Sequence, residues 1–169
     1  PITIYLLIAL ILLALVSWLD DLQGLSITVR LLTQLIIIAT ILVIDQGRVN
    51  FLPTFMPWWM WFLPLLTLWC WFTNIFNFMD GLNGLAGGVA VAVAAFLCAV
   101  TYLEGSFFVY ILCYILVASS AGFLVYNFPR PRLFMGDVGS QFLGFSFAAL
   151  AIIAAEIDTS HTSFLVVPL

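Results

Sequence analysis

Long apolar runs separated by short polar segments organise this chain. Ile2–Leu19 and Ile27–Ile44 carry few polar side chains, and a polar break, Asp45-Gln46-Gly47-Arg48-Val49-Asn50, follows them. A third run covers Trp58–Phe76. The fourth, Leu85–Leu103, turns at Glu104-Gly105-Ser106 into the fifth, Phe107–Tyr126. A shorter sixth run covers Gln141–Ala155, and another begins near Thr162. About 20 apolar residues suffice for a helix to cross a bilayer. The pattern therefore predicts an all-α, polytopic transmembrane bundle of six spans plus the start of a seventh. Pro64 predicts a kink in the third span, and the sixth needs polar flanks to reach both interfaces.

Composition strengthens this reading. The chain is 65% hydrophobic and 7% charged, against roughly 45–50% and about 25% in soluble domains. Its four basic residues are all arginines and its net charge is −4, which excludes a basic nucleic-acid surface. Cys70, Cys98 and Cys113 lie inside apolar runs without CxxC spacing and read as small buried hydrophobes. Trp58, Trp59, Trp61, Trp69 and Trp71 read as an interfacial belt rather than an aromatic binding groove. The chain begins at Pro1 without a basic leader, and is expected to be an internal piece of a longer protein.

Parity assigns sides. The segments after spans one, three and five share one membrane face and contain Asp20-Asp21, Asn77 to Gly84, and Asn127 to Ser140. That face also holds Arg30, Arg130 and Arg132, whereas the other holds only Arg48, so the positive-inside rule places it in the cytoplasm. Asp45, Glu104, Glu156 and Asp158 map to the opposite face, with His161.

Three polar sites stand out on the first face. Asp20 and Asp21 either mark where a helix leaves the membrane or form a metal-linked or proton-accepting pair. Arg30 and Gln34 follow on one helix face. Asn74, Asn77 and Asp80, spaced three apart, fall within about a 120° arc if the helix continues that far. A polar stripe at a span's end should face a wet cavity. Gly81 and Gly84 permit a sharp turn and close backbone approach to a ligand. The third site is Asn127-Phe128-Pro129-Arg130-Pro131-Arg132-Leu133-Phe134-Met135-Gly136-Asp137-Val138-Gly139-Ser140. Here Asp137 precedes the sixth helix between glycines and suits a hard cation, since Mg2+ takes one or two carboxylates plus phosphate oxygens and water. Arg130 and Arg132 either meet phosphate or express the topological bias alone. Four carboxylates gathered beside hydrocarbon need a cation, and a divalent ion would also bridge them to a nucleotide diphosphate.

The Asp20-Asp21 pair, the Ser26…Arg30…Gln34 spacing, Asn74-x-x-Asn77-x-x-Asp80-Gly81-x-x-Gly84-Leu85-Ala86 and Phe134-Met135-Gly136-Asp137-Val138-Gly139-Ser140 carry a resemblance. The chain resembles the polyprenyl-phosphate N-acetylhexosamine-1-phosphate transferases. The resemblance covers essentially the whole chain, as the family's third to eighth spans plus the start of the ninth. It implies a single integral-membrane catalytic domain over residues 1–169, truncated at both ends. The implied reaction is transfer of a sugar 1-phosphate from a UDP-sugar to undecaprenyl phosphate, with release of UMP. The implied setting is the cytoplasmic side of a bacterial inner membrane, in peptidoglycan, lipopolysaccharide or related envelope synthesis. Asp20, Asp21, Asp80 and Asp137 are then the catalytic set, with Asp137 and Asp20 toward Mg2+ (or Mn2+). Arg30, Asn74, Asn77, Gly81, Asn127, Arg130 and Arg132 are the substrate-binding set. Expected partners are a UDP-N-acetylhexosamine, undecaprenyl phosphate and membrane lipid, with a homodimer left open and no nucleic acid. Asn83 stands where the family usually has Asp, and the family's histidine-containing loop has no counterpart here. The alternatives are an ion-coupled transporter, which predicts ionisable groups near mid-span, and an inactive structural fragment.

Overall fold

The computed structural model describes residues 2–45 and 57–157. They form six helices: α1 (Ile2–Gln23), α2 (Ile27–Asp45), α3 (Trp58–Met79), α4 (Leu85–Leu103), α5 (Phe107–Asn127) and α6 (Gly136–Ile157). All six are long and apolar enough to cross a membrane, and no strand occurs among the described residues. The expected transmembrane helix bundle is therefore the observed fold. Arg48, Asp158, His161 and the run from Thr162 lie outside the described residues.

Three helix ends differ from the hydropathy pattern. α1 continues through Asp20 and Asp21 to Gln23, and α3 continues to Met79. The sixth helix is not short: it begins at Gly136 and runs 22 residues, so Asp137 sits in its first turn rather than before it. Hydropathy falls wherever polar side chains begin, but backbone hydrogen bonding continues when those side chains find protein partners. α3 also continues through Pro64, where the Thr67 hydroxyl donates to the carbonyls of Leu63 (2.8 Å) and Pro64 (2.9 Å).

α6 is the central helix. Its spanning stretch is 67% buried, whereas the other five are 22–33% buried and turn large apolar side chains outward. It packs against α1, α3, α4 and α5. Two buried aromatics of α6 serve two cores: Phe145 meets Trp69 (5.0 Å) beside α1 and α2, and Phe147 meets Phe76 (5.4 Å) beside α4 and α5. Gly144 brings α6 onto α3, since a Cβ there would lie 2.8 Å from Thr73 Cα. Small residues do the same for α4, whose Ala86, Gly87, Ala90 and Ala94 are buried along one stripe.

The tryptophan belt needs correcting. Trp69 is 3% exposed, inside the core, and Trp71 faces outward from mid-helix. Because α3 extends beyond Phe76, these two residues lie about 15–20 Å along the helix from its start, away from that interface. The side chain of Trp58 lies outside the described set. Cys70 and Cys113 are buried, as their apolar settings implied, Cys98 is half-buried, and all three are free thiols.

Candidate active site

The α1–α2 turn is built around one carboxylate. Gly24, at φ +65°, closes α1 with its N–H on the Asp20 carbonyl (2.8 Å). The Leu25 N–H then donates to Asp20 Oδ1 (2.7 Å), and Ser26 accepts from the Val29 N–H to start α2 (3.3 Å). Asp20 is thereby fixed with Oδ2 facing α2. Arg30, one turn into α2, places Nη1 2.7 Å from Asp20 Oδ2 and 2.6 Å from Asp137 Oδ2. One guanidinium nitrogen thus joins carboxylates 117 positions apart in the sequence.

Asp21 has a different place. It accepts from the Asp137 N–H (3.1 Å) and more weakly from the Val138 N–H (3.5 Å), which caps the start of α6 from a neighbouring helix. Gly136 makes this approach achievable: its φ is +67°, and a Cβ there would lie 2.9 Å from Asp21 Oδ2. The cap turns the Asp137 side chain toward α2 and α3. There Asn77 Nδ2 donates to Asp137 Oδ1 (2.8 Å) and to Ser140 Oγ (3.1 Å).

Asp80 follows α3 as its cap residue, half-buried near the start of α6. Burial pushes its carboxyl above the usual range. The Gly136 N–H pulls the other way, and the charges of Asp137 and Asp21 add to the rise. Asp20, Asp21, Asp80 and Asp137 therefore form the expected acidic gathering at one end of the bundle, with Arg30 as the guanidinium among them. Glu104 caps the far end of α4, as parity required.

The remaining predicted residues separate. Asn74 is exposed at its side of α3 but donates to Gln34 Oε1 (2.6 Å) and the Cys70 carbonyl (2.7 Å). Gly84 turns at φ +78° and packs under the Phe128 ring, which a Cβ would strike at 2.7 Å. Its close approach is thus to protein, and Gly81 has neither positive φ nor a tight neighbour. Asn127 is buried with both ends of its amide used: Oδ1 accepts from the Gly84 N–H (2.6 Å) and Nδ2 donates to the Leu133 carbonyl (2.9 Å). It clips the α3–α4 turn to the segment before α6. Arg130 and Arg132 are exposed on that segment, and neither forms an ion pair among the described residues.

Three residues around Asp137 were not among the predicted site residues: Ser140 and Gln141 beside it, and Gln34 behind Gln141. Gln141 Nε2 lies 3.5 Å from Asp137 Oδ2, and Gln34 Nε2 donates to Gln141 Oε1 (2.9 Å). The signal was present as spacing, since Gln34 is four residues beyond Arg30 and Gln141 four beyond Asp137.

Comparison with known proteins places this arrangement. The family model described as Glycosyl transferase family 4 matches residues 3–155. A probable undecaprenyl-phosphate N-acetylglucosaminyl 1-phosphate transferase of Bacillus subtilis (strain 168) is 39% identical over 141 residues, covering 80% of this chain and 39% of that protein. A phospho-N-acetylmuramoyl-pentapeptide-transferase of Bacillus cytotoxicus is 33% identical over 142 residues, covering 79% of this chain and 44% of that protein. Another, from Clostridium kluyveri, is 42% identical over 81 residues, 48% of this chain and 26% of its own length. The chain spans less than half the length of these relatives.

Proposed function

Because the chain belongs to glycosyl transferase family 4, we propose that the protein it comes from transfers a sugar 1-phosphate from a UDP-sugar to undecaprenyl phosphate and releases UMP. The observation that carries this reading is the junction at Arg30, where two carboxylates from α1 and α6 converge on one cationic nitrogen beside Asn77.

The junction fits a divalent cation. Two carboxylate oxygens already share a single positive atom, which stands where an ion of higher charge density would be held. Among the described residues no three histidine, cysteine or acidic side chains are grouped to hold a metal unaided. A hard cation there would use Asp137 and Asp20 and complete its shell with substrate phosphate and water, as Mg2+ does. When bound, it would neutralise phosphate charge on the nucleotide sugar.

The chain's own residues do the rest. An oxygen of the lipid phosphate attacks the sugar-linked phosphorus. A new P–O–P bridge forms, the P–O bond to UMP breaks, and the electron pair leaves with UMP. The second pKa of a phosphate monoester is about 6, so the attacking group is largely ionised at neutral pH and needs little proton removal. Charge is the greater problem. Arg30 is 31% exposed and can turn from its carboxylates toward phosphate. Asn77 keeps Asp137 oriented, while Asp21 keeps the α6 N–H groups occupied, so that end of α6 is not itself a phosphate cradle. Arg130 and Arg132 flank the site on an exposed segment and would steer anionic substrates. The positive-inside bias supports a cytoplasmic setting for this end.

An ion-coupled transporter fits less well. No Asp, Glu, Arg or His lies in the middle third of any described helix, and Asp20, Asp21, Arg30, Asp80 and Asp137 gather at one end.

The test is Asp137→Asn in the full-length protein, assayed by UMP release from a UDP-N-acetylhexosamine and undecaprenyl phosphate in detergent. Turnover should fall about 10²–10³-fold, the scale for loss of one charge-stabilising group. Wild-type turnover in the folded variant would overturn the proposal.

A further inference from the structure

Beneath the charged layer lies a second polar layer inside the spans. α2 supplies Gln34 one turn below Arg30, α6 supplies Gln141 one turn below Asp137, and α3 supplies Asn74 one turn before Asn77. Gln34 and Gln141 are 2% and 4% exposed. Their hydrogen bonds run one way: Asn74 Nδ2 to Gln34 Oε1 (2.6 Å), Gln34 Nε2 to Gln141 Oε1 (2.9 Å), Gln141 Nε2 toward Asp137 Oδ2 (3.5 Å).

Both ends of this chain impose the same polarity. The Cys70 carbonyl only accepts, so Asn74 must present its nitrogen there. An ionised Asp137 carboxylate also only accepts, so Gln141 must present nitrogen to it. The amides between can satisfy both ends in only one orientation. Every donor then points toward Asp137, and aligned hydrogen bonds reinforce one another.

Stability alone does not call for such a layer, because an unpaired amide in hydrocarbon is costly and apolar residues of similar size pack there without that risk. We propose that Gln34 and Gln141 are positioning residues that hold the Asp137 carboxylate oriented for a divalent cation, with Gln34 acting only through Gln141. The inference rests on Asp137 being the central carboxylate of the transferase site.

The test uses the full-length protein with Gln34→Met, Gln141→Met and the double substitution, which keep length and remove the donors. Mn2+ affinity is read by electron paramagnetic resonance, alongside the half-activating Mg2+ concentration, kcat, KM for the UDP-sugar and Tm. Each single variant should bind Mn2+ about tenfold more weakly, the lower end for loss of a group that orients a ligand. The half-activating Mg2+ concentration should rise in parallel with KM unchanged, while Tm falls modestly in each single variant, whose remaining buried amide loses its partner, and recovers in the double variant. The double variant should be no worse than the worse single variant. Should Gln141→Met not fold, Gln34→Met carries the same test. Unchanged Mn2+ affinity in folded variants, or losses that add in the double variant, would overturn the proposal. Asp137→Asn separates the two readings: if it is inactive while the methionine variants match wild type, only the positioning role fails. If it retains Mn2+ binding and turnover, the site assignment itself fails.

Discussion

Replacing Arg30 by Gln removes the one cation shared by Asp20 and Asp137. Each contact, at 2.7 and 2.6 Å, is a charge-assisted hydrogen bond, worth about 1.5–3 kcal/mol net. Arg30 and Asp137 are 31% and 26% exposed at their side chains, so solvent screens part of this. Asp20, at 7%, has far less water to turn to. A loss of about 3 kcal/mol follows, the low end for removing one partner of a buried pair. At no more than about 2–4 °C per kcal/mol for a protein at least this long, Tm should fall by up to roughly 6–12 °C in a divalent-free buffer. Intrinsic tryptophan fluorescence during a thermal ramp reads this directly on detergent-purified, full-length protein, with all variants at one scan rate. Two further arms isolate the cause. Adding Asp20→Asn to Arg30→Gln should recover about half of the loss, because one of the two stranded charges is gone. Millimolar Mg2+ should raise the Tm of Arg30→Gln more than that of wild type, since an ion would restore the missing charge. An Arg30→Gln Tm equal to wild type would refute this account, as would a double variant showing the sum of two separate losses.

Two shorter expectations accompany it. Gly84→Ala should destabilise by about 1–2 kcal/mol from its left-handed backbone alone, with more from the Phe128 ring, whereas Gly81→Ala should stay within about 0.5 kcal/mol; equal effects in a thermal ramp would remove the distinction drawn between the two turns. For orientation, Gln23→Cys and Leu133→Cys should resist a membrane-impermeant maleimide in intact cells, whereas Phe107→Cys, at the far end, should react; labelling of Gln23→Cys and Leu133→Cys on opposite sides would break the shared-face assignment.

What was legible in the sequence follows from what lipid penalises. Apolar runs of bilayer length pointed to six helices near their true positions, because a helix is the structure in which a single segment satisfies its own backbone in hydrocarbon. The charged residues were legible for the converse reason: Asp20, Arg30, Asp80 and Asp137 are costly beside lipid unless grouped, so their shared face implied a site. Among the amides, Gln141 was not legible. Taking the sixth span to begin at Gln141 made that residue look like a boundary. With α6 starting at Gly136, the same residue is one turn inside, under Asp137. The Asp21 cap on α6 spans 116 positions, and the Asn127 clip spans 43; neither partner could be inferred from local pattern.

The placement of the acids is evidence for function apart from any similarity. A helix's C-terminal end carries partial negative charge, and a carboxylate there is disfavoured by about 0.3–1 kcal/mol. Asp20 and Asp21 occupy the last turn of α1, and Asp80 caps the end of α3. Only Asp137, in the first turn of α6, has the dipole in its favour. Three of four carboxylates therefore stand where helix electrostatics opposes them, and mutual repulsion with Asp137 and Asp21 raises the Asp80 carboxyl further. A bundle shaped for stability alone would place basic residues at those ends. One arginine offsets part of the charge, and it is bound to two of the acids at once. The remaining negative potential is a standing demand for cations at the membrane surface. On the proposed function it would be met by a divalent cation and phosphate-bearing substrates together, which would make the cluster's local cost intelligible as readiness for them.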